Sequence, residues 1–203
     1  MNDPRWEKTT NAIHLFQLLA KREQVSERKL RLFAVALARH YESTLTSQRS
    51  RRAIDVAEKF ADGQASREQL IKAGRSASAA YVWNHQQKAR EAARMAAYVD
   101  PWSAAAYTFR RVSNKLAVDQ MREIFGNPFQ PTTIEPRWLT FNNSIVLQLA
   151  ERMYDNNDFV EMPILADALE EAGCEDETIL RHCRSGGTHA RGCWVIDLLL
   201  SKR

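Results

Sequence analysis

Between Cys174 and Trp194 the chain reads CEDETILRHCRSGGTHARGCW, a stretch holding all three cysteines, two of the five histidines and three of the seven glycines. Thiolates and imidazoles are the donors that zinc takes in tetrahedral sets of about four. The best such set is Cys174, Cys183, His189 and Cys193, with His182 as a substitute. The spacing Cys174-x₈-Cys183-x₅-His189-x₃-Cys193 lacks the close cysteine pairs of zinc knuckles. His189 and Cys193, four residues apart, are expected on one helix face.

The same residues admit a second chemistry, a thiol nucleophile activated by imidazole, as Cys193 with His189 or Cys183 with His182. Neighbours on a helix diverge by about 100°, and no third group that would orient the imidazole is apparent. The plainest reading makes the cysteines small buried apolar residues and lets the histidines terminate helices. Elsewhere the sequence holds no phosphate-binding glycine loop, no H-E-x-x-H and no G-x-S-x-G, so no catalytic residue is assigned.

Two basic clusters form the other candidate site. Arg28, Lys29 and Arg31, then Arg49, Arg51 and Arg52, are candidate nucleic-acid contacts. The second cluster falls in the first turn of an expected helix, the unfavourable end of the dipole for cations. Those arginines need carboxylates, such as Asp55 four residues after Arg51, or an anionic partner. Charge is divided unevenly along the chain: residues 1–100 carry +7 and residues 101–203 carry −3. Complementary faces of two packed halves account for that split as simply as an anionic ligand does.

Amphipathic helices must position these groups. The spacing of Trp6, Ile13, Phe16, Leu19 and Ala20 predicts a helix within 3–21, and Ser26 is placed to cap one carrying Leu30, Phe33, Leu37 and Tyr41. Thr46 or Ser47 opens another that ends at Gly63, and Ser66 with Gln69 makes a capping box for a long alanine-rich helix towards Val99. Tyr81, Trp83, His85 and Tyr98 give that region an aromatic character suited to core or inter-helix packing.

Asp100-Pro101 starts a helix expected to run to Phe125. GNPFQPTTIEP, at 126–136, is a proline-rich ordered loop, after which Asn142 or Asn143 caps the next helix. The polar turn at 155–158 lacks the spacing of a calcium loop. Pro163 opens a helix closed by Gly173, Asp176 caps a short one, and Thr188 is expected to cap a last one reaching Leu200. With no sustained alternating pattern, the fold class is all-α: an irregular orthogonal multi-helix bundle of about nine helices. A basic half, 1–125, and an acidic half with the Cys/His cluster, 126–203, are expected to pack as one domain.

At 203 residues, 44% hydrophobic and 27% charged, the composition is that of a globular protein able to bury a sizeable core. No apolar run approaches the roughly 18 residues of a membrane span, and the N-terminus MNDPRWEKTT lacks the order of a secretory signal. A cytoplasmic location is expected, with three free thiols or metal ligands and no membrane partner.

Some blocks are family-like: SERKLRLFA at 26–34, SRRAIDVAEKFADG at 50–63, IFGNPFQP at 124–131, and PILADALEEAGC…ILRHCR…H-x-RGCWVIDLLL from Pro163. They resemble a large paralogous family of hypothetical proteins abundant in planctomycete-type bacteria. The resemblance spans roughly 26–64 and 119–203 and implies a bacterial cytoplasmic domain, with no assigned activity. Relatives tend to carry further cysteines after the RKLRLFA motif, where this chain has Val35, Ala36 and Leu37.

The first functional expectation is therefore a helical protein-interaction or adaptor domain, more simply not an enzyme, with a protein partner and a structural metal as an option. A nucleic-acid-binding domain using the basic helices is the alternative, and a thiol-dependent enzyme using the Cys/His cluster is the third. No cofactor motif is present, and zinc is the one cofactor the donor set would take.

Overall fold

A computed structural model describes residues 3–23, 25–79 and 87–202. Among them the chain is all-α, with twelve helices, ten of them seven residues or longer, and no strand. Contacts within the chain group the described residues into two compact units, divided between Ile124 and Phe125.

In the N-terminal unit, α1 (Arg5–Lys8) and α2 (Ala12–Ala20) replace the single helix expected from periodicity. Asn11 breaks the pattern because its side chain accepts from the backbone N–H groups of Ile13 and His14, restarting the helix. The restart rotates the apolar face, so Ile13 is exposed while Trp6, Leu15 and Leu19 are buried. Ser26 caps α3 (Glu27–Arg39) by accepting from Lys29 N. A 3₁₀ turn (Glu42–Thr44) follows, and Ser47 caps α4 (Gln48–Ala61) by accepting from Ser50 N.

The Ser66/Gln69 capping box forms in both directions, with Ser66 N donating to Gln69 Oε1 at 2.7 Å and Gln69 N to Ser66 Oγ at 3.2 Å. It opens α5 (Arg67–Ala79), and α6 (Gln87–Ala96) comes later. Tyr81, Trp83 and His85 lie outside the described residues. Asp100 caps α7 (Pro101–Phe109), which stops short of the expected end. Thr108 Oγ1 donates to the carbonyl of Ala104, Arg111 N turns back to Thr108 O, and Ser113 Oγ accepts from Leu116 N. Those polar contacts divide the expected helix and start α8 (Asn114–Phe125).

The core of this unit is rich in alanine: Ala34, Ala38, Ala53, Ala57, Ala92, Ala93 and Ala96 gather around Leu45, Ile54 and Leu70. Small side chains let α3, α4 and α6 approach closely, at the expense of apolar area per residue. Arg31 compensates: 2% exposed, it donates to the carbonyls of Ala96, Tyr98 and Val99 and so satisfies the end of α6.

In the C-terminal unit the loop after Phe125 gives way to α9 (Pro136–Asn156), six residues earlier than the asparagine cap suggests. Pro136 occupies the first turn, where a missing N–H costs nothing. The expected boundary survives inside the helix as a kink: Phe141 is extended, and Asn142, Asn143 and Ser144 have φ of 41°, 55° and 62°. Then come α10 (Met162–Glu171), α11 (Glu177–Arg184) and α12 (Trp194–Leu199). Their core is built on Leu149, Met153, Leu165, Leu169, Ile179 and Val195, and includes all three cysteines. No helix among the described residues is long and apolar enough to cross a membrane.

Candidate metal centre

Three of the soft donors converge in the C-terminal unit. His182, His189 and Cys193 each offer a ligand atom, and these atoms lie within 4.8 Å of one another. His182 Nε2 and Cys193 Sγ are 3.2 Å apart. Donors around one tetrahedral zinc, at bond lengths near 2.0–2.3 Å, lie roughly 3.3–3.8 Å from each other. The group is therefore close to ligating geometry, with contraction needed only at its wider separations. Cys193 is fully buried and both histidines are partly buried.

Local sequence explains each placement. Asp176 caps α11 by accepting from Thr178 N and Ile179 N, which turns Ile179, Leu180 and Cys183 into the core and leaves His182 near the helix end. Ser185 stops the helix: its hydroxyl donates to the carbonyl of His182 at 2.7 Å. Gly186 and Gly187 then carry the chain through open space, where an added Cβ would meet nothing or only the Ser185 hydroxyl.

Residues 188–193 are not helical, contrary to the expected Thr188 cap. Cys193 N instead donates to Ala190 O in a turn, and Gly192 has φ of 94°, a conformation that ends regular helix. His189 and Cys193 consequently come together across a turn instead of along a helix face. Arg191 fastens this turn, donating to the carbonyl of Tyr154 at 2.6 Å with its guanidinium 4.6 Å from that residue's ring centroid.

The rings around the donors are packed edge on. The His182 and His189 centroids are 5.1 Å apart at 70°, and His182 lies 5.2 Å from the Trp194 ring. Trp194 in turn occupies the space over Gly126, where a Cβ would approach its Cγ and Cδ2 to 2.9 Å. That contact explains why glycine stands at the start of the proline-rich loop.

The remaining cysteines lie elsewhere in the same core. Cys174 follows Gly173 in the turn that closes α10, its N–H bonded to Leu169 O at 2.9 Å. Cys183 faces inward from α11 and is fully buried. Neither belongs to the converging group, whereas His182, the expected substitute ligand, does. Burial pushes the Cys174 thiol above its ordinary pKa, the backbone N–H of Asp176 opposing in part, so it stays protonated at neutral pH.

The basic residues divide into two kinds. Arg31 is buried on backbone carbonyls. Arg28 pairs with Asp62 at 3.0 Å, and Lys29 Nζ donates to Ile124 O at 2.9 Å. Arg49, Arg51 and Arg52 are exposed on α4. Asp55, the expected partner of Arg51, is bound instead by Arg39, which also holds Glu42 and Glu58.

Compared with protein-family models, with curated proteins and with solved structures, the chain matches none.

Proposed function

We propose that the C-terminal unit is a metal-binding domain, taking zinc through His182, His189 and Cys193, within a helical interaction protein that is not an enzyme. The observation that carries this reading is the convergence of two imidazoles and one thiol within 4.8 Å in a largely buried corner. An N₂S donor set suits zinc over the hard cations, which prefer oxygen ligands. A bound ion would join the end of α11, the loop that follows it and the start of α12. Such a cross-link stabilises the folded state by the free energy of binding.

Burial argues against the thiol-enzyme alternative. Cys193 and Cys183 are both 0% exposed, so neither sulfur can reach a substrate. The 3.2 Å contact from Cys193 to His182 is as expected of two ligands as of a nucleophile and its base. Buried cysteines that form no disulfide also suit a reducing, cytoplasmic setting.

The test is metal content and metal-dependent stability of tag-free protein. We expect close to one equivalent of zinc after purification in buffer with added zinc, and cobalt substitution giving the intense visible bands of tetrahedral, thiolate-containing coordination. Cys193→Ser and His189→Ala should each lose that stoichiometry, while Cys174→Ala should keep it. Less than one tenth of an equivalent, or undiminished binding in Cys193→Ser, would overturn the reading.

A further inference from the structure

The N-terminal unit carries a second site on different chemistry. Helix α4 packs against α5, and between them lies a groove of about 300 Å³ lined by Arg49, Arg52, Lys72, Gln69 and Ser76, with Val56 and Ala73 beneath. Its lining holds three cations and no acidic side chain. Arg49, Arg52 and Lys72 are all exposed, and none makes an ion pair or hydrogen bond among the described residues. Three other arginines of the unit are neutralised: Arg28 by Asp62, Arg111 by Glu91, and Arg39 by three carboxylates.

Two unpaired guanidinium groups in the first turns of α4 repel one another and the positive end of the helix dipole. That arrangement is unfavourable in the free protein and is relieved by an anion. The hydroxyl of Ser76 and the side-chain amide of Gln69 add hydrogen-bonding groups to the same groove, while Gln69 Oε1 is engaged by Ser66 N. The lining contains no aromatic ring on which a base could stack.

We propose that the groove between α4 and α5 is a phosphate-binding site, in which Arg49, Arg52 and Lys72 take the oxygens of one or two phosphate groups with no base stacked in the groove. Guanidinium groups bind phosphate through paired N–H donors, and lysine adds a point charge. The phosphates can come from a nucleic-acid backbone or from a small phosphorylated molecule. The site stands apart from the metal reading, since it uses none of its residues.

Full-length protein is titrated at low salt with two probes: a labelled single-stranded oligonucleotide of mixed sequence, followed by anisotropy, and inorganic pyrophosphate, followed by calorimetry. The variants are Arg49→Gln, Arg52→Gln and Lys72→Gln, all exposed and so compatible with folding. Lys115→Gln, on α8 and outside the groove, removes the same charge as a control. Each groove variant should weaken binding about fivefold or more, and Lys115→Gln less than twofold. If the backbone is the ligand, the slope of log affinity against log salt falls by about 0.7 for each cation removed. Saturable pyrophosphate binding without oligonucleotide binding assigns the site to small phosphorylated ligands. Failure of both probes to bind, or losses equal in Lys115→Gln and the groove variants, would overturn the proposal.

Discussion

Replacing Gly126 by alanine tests how the loop entering the C-terminal unit supports the donor cluster. Gly126 has φ of 59°, and a Cβ there would lie 2.9 Å from both Cγ and Cδ2 of Trp194 and 3.4 Å from its Cβ. Left-handed backbone costs an L residue about 1–2 kcal/mol. Carbon atoms in ordinary contact are about 3.5–4.0 Å apart, so the indole must shift, and overpacking of that kind costs about 1–3 kcal/mol. The expected loss is therefore about 2–5 kcal/mol.

Gly173→Ala is the matched control within the same unit. Its φ is 86°, but the nearest atom to the new Cβ is Arg137 Nη1 at 3.3 Å, the far end of a largely exposed side chain that can move aside. Only the backbone cost of about 1–2 kcal/mol should remain. Urea denaturation of the full chain, followed by circular dichroism and analysed at constant m-value, gives both numbers. Because Trp194 packs on His182 at 5.2 Å, zinc affinity should fall in Gly126→Ala and not in Gly173→Ala. Losses agreeing within about 0.5 kcal/mol, close to the error of additivity for independent sites, would refute the role given to the Trp194 contact.

Two further substitutions probe other parts of the chain. Arg31→Met should destabilise the N-terminal unit by about 3–5 kcal/mol, because it removes the donor shared by three carbonyls at the end of α6; denaturation with unchanged stability would contradict this. Burial raises the Cys174 pKa in the folded state, so the stability it contributes is fully present below the ordinary thiol pKa and is lost as pH rises through the folded value. Wild-type protein should accordingly lose more stability than Cys174→Ala between neutral and alkaline pH, and identical profiles from denaturation at several pH values would count against it.

Much of the fold was legible in the sequence because helix ends are written in local chemistry. Ser26, Ser47, Asp100 and Asp176 each accept from a backbone N–H of the helix they precede, and Ser66 with Gln69 closes the capping box that their spacing announced. Two expected helices are divided where a polar residue inside an apolar period takes over the backbone. Asn11 split the first helix and Thr108 with Ser113 split the helix after Asp100, because periodicity averages over such breaks.

What the sequence determined by itself was the all-α class, most of the helix starts and the stretch in which soft donors are concentrated. Only the tertiary structure decided which donors meet. Cys183 turned into the core with its helix and Cys174 with the turn that closes α10, while the turn at Ala190–Cys193 brought His189 and Cys193 to His182. The same holds for the arginines: Arg31 and Arg52 are alike in sequence, yet one is buried on carbonyls and the other lines an open groove. Caps and periods depend on residues a few places apart, whereas ligand geometry depends on where a chain returns after a turn. That return is set by long-range packing, such as Arg191 on Tyr154 and Trp194 over Gly126, which no local pattern encodes.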